Sequence, residues 1–198
     1  MEKFKRGLGL LLIVVGVGII LNIAYKKFET AQKQKEILEV FQSQVVDKDK
    51  VESGDEDDTT LAANGFTPIA ILKIPTIDLS QVIVEGIGDD AIQYYLGHFP
   101  ESAMPGTGNF AVAGHRVSSY TDAFINLYKV KAGDQLIVET FDKRYTYEVA
   151  ENFIVAPDEV DVLDQTEDPT ITLITCTVSS AERVVVTGNL VSEETLED

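Results

Sequence analysis

The chain contains a single cysteine, Cys176, and two histidines, His98 and His115. A thiol becomes a nucleophile only as the thiolate, so it needs a base or a cation beside it, and imidazole can be either. Cys176 closes the apolar run ITLITC and is followed by the small, polar TVSSAE. A strand end that hands over to a loop fixes a side chain while leaving it open to substrate. That placement favours a nucleophile over the buried, inert thiol that a lone cysteine commonly is. His115 stands in the same position: it follows the run NFAVAG, whose Gly114 permits close backbone approach. Arg183 opens RVVVTGNLV, seven positions after Cys176. A strand, a short loop and a returning strand bring its guanidinium near the thiol, where a fixed donor fork can hold an oxyanion. The bland alternative is a surface arginine on an edge strand. His98 lies among the turn residues of GHFPESAMPG, with no rigid strand end expected there, so a structural hydrogen bond is its expected use. One cysteine rules out an internal disulfide and any multi-cysteine metal centre.

Those three residues need a scaffold. From Phe66 onward, short β-branched runs alternate with turn residues, the pattern of an all-β barrel or sandwich. Seven runs read as extended: Pro68–Pro75, Gln81–Gly86, Asn109–Gly114, Asp134–Thr140, Arg144–Val155, Ile171–Cys176 and Arg183–Val191. Phe141 to Arg144 reads as a hairpin connection, with Tyr145, Tyr147 and Val149 on one face of the return strand. Short helices are expected over Asp89–Leu96 and Thr121–Leu127, each with an acid in its first turn.

Ahead of the β region, Leu8–Ala24 (LGLLLIVVGVGIILNIA) holds one polar residue, Asn22, and is long enough to cross a bilayer core as a helix. The run exceeds a usual signal core and no clear cleavage site follows, so an uncleaved anchor is expected rather than a signal peptide. Lysines flank both ends, and the charge rule leaves orientation open. A short amphipathic helix, read as a stalk, follows over ETAQKQKEILEVFQSQVV, with Ile37, Leu38, Phe41 and Val45 at helical spacing. Residues 47–60 carry seven acids and almost nothing apolar, the composition of a flexible linker. Their spacing lacks the alternation and glycine of an EF-hand loop, so a metal site is not expected there. The expected organisation is 1–7 N-terminus, 8–24 anchor, 25–65 stalk and linker, and 66–198 one folded domain. Net charge is −17, and beyond residue 35 no cluster of Lys and Arg offers a footprint for nucleic acid, which sets that class of partner aside.

Taken together, TLITC (Thr172–Cys176), AGHR (Ala113–Arg116) and RVVVTG (Arg183–Gly188), in the order His, Cys, Arg, resemble the signature segments of the sortase family. The run GHFPESAMPGTGNFAVAGHR is similar to the approach to the histidine in sortases of Gram-positive bacteria. The resemblance covers about residues 66–191 and implies a mostly β fold, an eight-stranded sortase-type barrel with short helices, preceded by a transmembrane helix. It further implies a two-step transpeptidation of secreted proteins bearing an LPXTG-like signal, with a cell-wall peptide precursor as amine acceptor. Cys176 would be the nucleophile, His115 the acid and base, Arg183 the binder of substrate and oxyanion, and Thr175 a substrate contact. No cofactor or metal is implied, calcium dependence being left open. The family places the N-terminus in the cytoplasm and the catalytic domain outside the cell membrane. The lone N-terminal anchor, without a second C-terminal apolar segment or a lid-like Asp-Pro-aromatic motif, resembles class D rather than the pilin-polymerising class. TVSSAE is short for the family, so acceptor choice is not carried over; Ala156–Thr170 is expected to form a groove wall that sets signal preference. The competing functions are a membrane-tethered cysteine peptidase that only hydrolyses, a pilin-polymerising enzyme, and a non-enzymatic surface binding domain.

Overall fold

The computed structural model describes residues 2–46 and 65–196, and the acidic linker read over 47–60 lies outside them. Eight strands close into a barrel: β1 (Pro68–Ile74), β2 (Leu79–Glu85), β3 (Leu96–His98), β4 (Asn109–Ala113), β5 (Gln135–Glu139), β6 (Lys143–Val155), β7 (Thr170–Cys176) and β8 (Arg183–Thr195). The neighbour order around the barrel is β1-β2-β3-β4-β7-β8-β6-β5. Two pairings are parallel, β2 with β3 and β4 with β7, and the rest are antiparallel.

Alternation along the strands decides which side chains fill the interior. Phe110 and Val112 of β4, Ile171 and Leu173 of β7, Val186 of β8, and Tyr145, Tyr147 and Val149 of β6 share one core with Leu96, Phe124 and Leu136. Burial raises the Tyr147 pKa to about 12, although its hydroxyl oxygen accepts from the Gly106 N–H at 2.8 Å.

All seven expected strands are present, within a residue or two at most ends. The eighth is β3, in a stretch whose sequence reads partly as helix and partly as loop. The expected Asp89–Leu96 helix is a single turn, α2 (Asp89–Ile92), and the expected Thr121–Leu127 helix is a run of turns ending in a 3₁₀ turn, Leu127–Lys129. Both segments are short loops whose backbone is fixed by barrel contacts; the Phe124 N–H, for example, donates to the His115 carbonyl at 3.1 Å.

The anchor and the stalk are one continuous helix, α1 (Glu2–Val46). Its first half is apolar and exposed, and it is the one helix among the described residues long and apolar enough to cross a membrane. Its second half is not free, because Ile37 and Phe41 are buried against Ile71, Val82, Val84 and Tyr95 on the outside of β1 and β2. Phe41 stacks on Phe141 with ring centres 4.3 Å apart, the Val82 N–H donates to the Gln34 side chain at 3.5 Å, and Lys27 pairs with Asp122.

Candidate active site

The register of three adjacent strands builds the site. β7 and β8 are antiparallel with Cys176 directly opposite Arg183, so the two side chains project from the same face. Ile171 and Leu173 of β7 and Val186 of β8 belong to the barrel core, and Cys176 and Arg183 fall on the opposite parity of their strands, so both point outward from the barrel. β4 runs parallel to β7 on its other side, pairing Val112 with Leu173 and Ala113 with Ile174. Beyond the last ladder pair, the Gly114 N–H donates to the Ile174 carbonyl at 3.1 Å, and the Gly114 carbonyl accepts from the Thr175 hydroxyl at 2.8 Å. The chain therefore stays beside β7 through Gly114. A period of two then puts His115 on the outward face with Cys176. Neighbouring strands lie about 4.8 Å apart, so the backbones carrying His115 and Arg183 flank that of Cys176 at roughly one strand spacing each.

Gly114 is required by packing. A Cβ at this position would lie 2.5 Å from Leu96 Cδ2 and 2.8 Å from Phe124 Cδ2. Only a bare backbone lets the strand end sink between those core side chains and deliver His115 to the rim. Cys176, His115 and Arg183 are each half-buried. The loop between Cys176 and Arg183 is a compact turn: the Thr177 N–H donates to the Glu182 carbonyl at 3.0 Å, the Ser180 N–H donates to the Thr177 carbonyl at 3.0 Å, and Ser180 adopts φ 60°. Arg183 Nη1 donates to the carbonyls of Ser180 at 3.3 Å and Glu182 at 3.2 Å. The other N–H groups of the guanidinium stay available to a substrate oxygen.

Thr175, which the resemblance makes a substrate contact, is 3 % exposed and its hydroxyl is committed to the Gly114 carbonyl. Its position in the alternation turns it away from the Cys176 face. His98 was expected in a loop, yet it ends β3 and is 2 % exposed. Its Nδ1 lies 3.0 Å from Glu85 Oε2, its Nε2 lies 2.9 Å from Ser102 Oγ and 3.2 Å from the Ala103 carbonyl, and its ring stacks on Phe110. The expected structural use of His98 fits this network, which lies below the rim that carries Cys176: His98 pairs with Val112, two residues before Gly114.

Asn109 was not singled out from the sequence. It is 3 % exposed, accepts from the Thr172 hydroxyl at 2.8 Å, and donates to the carbonyls of Val162 and Asp164 at 3.1 Å each. It ties the β6–β7 connection to the strands that carry the site; an asparagine opening an otherwise apolar strand was the available signal. Beside this connection lies a hollow of about 650 Å³ lined by Ile87, Phe99, Pro100, Val160 and Leu163, among others. Among the described residues, no group of three or more His, Cys, Asp and Glu is placed to hold a metal ion.

A thiol, an imidazole and a guanidinium on one rim suit acyl transfer through a thioester. Residues 72–191 match the family model of the Sortase domain. The chain belongs to the sortase family. Sortases are cysteine transpeptidases. The chain is 30 % identical to Sortase SrtE1 of Streptomyces coelicolor over 96 % of its own length and 58 % of that relative's. It is 27 % identical to Sortase A of Bacillus anthracis, with 96 % of each chain covered. Among solved structures, the Sortase D5 transpeptidase of Clostridium perfringens superposes with a TM-score of 0.68 at 32 % identity, covering 81 % of this chain and 99 % of that one. The fold expected from the sortase resemblance is thus the fold observed.

Proposed function

We propose that this sortase is a membrane-anchored transpeptidase that cleaves an LPXTG-like sorting signal on secreted proteins and transfers the acyl fragment to an amine of a cell-wall peptide precursor. The observation that carries the reading is the pairing of Cys176 with Arg183 across β7 and β8, with the His115 backbone held on the other side of β7 through Gly114. The Cys176 thiolate attacks the Thr–Gly carbonyl carbon, forming a C–S bond and a tetrahedral oxyanion toward which Arg183 donates. His115 gives its proton to the departing glycine nitrogen, the C–N bond breaks, and a thioester remains. An incoming amine then loses a proton to His115 and attacks the thioester, releasing the Cys176 thiolate with the new amide. The steps use only side chains of this chain, with no cofactor.

The hollow lined by Phe99, Pro100, Val160 and Leu163 suits the apolar residues that precede the scissile bond, with the Ala156–Thr170 connection as a groove wall. Thr175 is a positioning residue in this scheme. We place the chain in class D, a reading supported by the likeness to the Sortase D5 structure. Leu8–Ala24 is read as a single-pass anchor with the N-terminus in the cytoplasm and the barrel outside. The test is to incubate the full chain with an LPXTG-type peptide and a primary amine, and to identify products by mass spectrometry. Transpeptidation yields the amide-exchange product. Hydrolysed peptide alone, at saturating amine, supports a tethered peptidase instead, and unchanged peptide contradicts both.

A further inference from the structure

The path of α1 fixes which end of the barrel meets the bilayer. The apolar run ends at Ala24, and the next turn already touches the barrel: Lys26 Nζ lies 4.7 Å from the Tyr120 ring centre, and Lys27 pairs with Asp122. At 1.5 Å per residue, Lys27 is only ~4.5 Å along the axis from Ala24, whereas Phe41, stacked on Phe141 of the β5–β6 hairpin, is ~25 Å away. Tyr120 and Asp122 belong to the connection that leaves His115 and caps the barrel end where β4, β7 and β8 present the candidate site. Phe141 marks the opposite end. The helix thus runs from the site end at the membrane to the far end away from it.

Charge follows the same axis. On the barrel, Lys73 pairs with Glu139, Arg144 pairs with Glu139 and Glu194, and Lys143 pairs with Glu193, all away from the site end. Arg116, Lys129 and Lys131, on the connection beyond His115, form no ion pair with a described carboxylate. Arg116 and Lys129 instead flank the exposed Tyr128 ring at 5.8 and 5.6 Å. Val117 and Ile125 on this connection are also exposed. The Asp134 carboxylate is occupied by the Lys131 backbone N–H at 2.8 Å. Acids are also present at this end: Glu182 precedes Arg183, and Asp158 and Glu159 follow Val155, which pairs with Arg183, before the connection is tied to Asn109 at Val162; they lie on other connections than the one that carries Arg116, Lys129 and Lys131. In a chain of net charge −17, unpaired cations gathered beside an aromatic and two aliphatic side chains at the exit of a membrane helix match the chemistry of a phosphate headgroup layer.

We propose that the Arg116–Lys131 connection is a membrane-contact surface, seated on anionic phospholipid headgroups of the bilayer that α1 spans, so that the Cys176 site opens at the membrane surface. The proposal rests on reading Leu8–Ala24 as the anchor and is independent of the reaction. A docked, unbroken α1 then fixes the height of the Cys176 site above the bilayer.

The test uses the full chain with Cys176→Ala, so that a single introduced thiol can be spin-labelled, reconstituted in phosphatidylglycerol vesicles. Depth is read by power saturation from Ile125→Cys and Val117→Cys at the site end and Asp142→Cys at the far hairpin, with circular dichroism reporting folding. The labels at 117 and 125 are expected at headgroup level and the label at 142 in bulk water. A label at 142 as near the bilayer as 125, or both sites in bulk water, overturns the proposal. Lys129→Glu with Lys131→Glu is expected to weaken the headgroup signal of the 125 label severalfold on phosphatidylglycerol and to leave it unchanged on phosphatidylcholine. No change on phosphatidylglycerol overturns the charge contact. A chain that fails to co-float with vesicles overturns the anchor reading and the proposal with it, without touching the reaction.

Discussion

Two small groups at the strand ends do the positioning. The Thr175 hydroxyl, buried and bonded to the Gly114 carbonyl, ties the end of β4 to the end of β7 one residue before each proposed reacting group. Thr175→Val should remove that bond and leave the Gly114 carbonyl unpaired, costing about 1–2 kcal/mol of stability in a denaturant titration. It should lower kcat more than it raises KM, because the strand ends separate while the groove is untouched. Thr175→Ser, which keeps the oxygen, should restore most of kcat; equal loss in both variants would point to packing rather than to the hydrogen bond. Gly114→Ala adds a methyl group where Leu96 and Phe124 already sit. Overpacking of this kind costs about 1–3 kcal/mol, and the displaced His115 should depress kcat at least tenfold while the chain still folds by circular dichroism.

At the scale of elements, the far end of the barrel is held by charge. Glu139 receives Lys73 from β1 and Arg144 from β6 and is well shielded from solvent, so three strands meet at one carboxylate. Burial alone would raise its pKa, but the two cations outweigh it and hold the group below the usual 4.5. A depressed folded-state value stabilises the protein above the unfolded value, and that stabilisation is lost as pH falls through the folded one. Glu139→Gln should therefore lower stability by about 1 kcal/mol at pH 7, with the difference from wild type shrinking below pH 4.5. The elements were legible where the physics is local. β6 announces itself by the alternation of Tyr145, Tyr147 and Val149 and β7 by its apolar, β-branched run, and the three candidate residues stand out because their strands end in chemistry-bearing types. β3 was hidden because three residues with Gly97 at the centre have no readable period, and pairing with β2 and β4 makes them a strand. The continuity of α1 had a signal, the lack of Gly or Pro from Ile19 to Val46, but its docking did not. Ile37 and Phe41 showed an apolar stripe without showing what covers it. The face that Thr175 takes was not legible, because an apolar run does not say which way its last residues turn.

For the whole molecule, the helix and the barrel form one body joined by an apolar seam. Phe41→Ala should open that seam, lowering barrel stability by about 2–4 kcal/mol and speeding amide exchange in β2, where Val82 and Val84 pack under the helix. An unchanged melting temperature would mean that α1 contributes anchorage alone. The closed barrel brings a thiol, an imidazole and a guanidinium from distant parts of the chain to one rim, with Cys176 as the residue that would form the covalent bond. Intact-mass spectrometry of the full chain, taken after mixing with an LPXTG-type peptide in the absence of any added amine, tests this directly. The predicted result is a thioester adduct whose mass equals the peptide's N-terminal fragment, mapped to Cys176, cleared by added amine and absent in Cys176→Ala. Peptide cleavage that persists in Cys176→Ala, or turnover with the adduct on another residue, would contradict it.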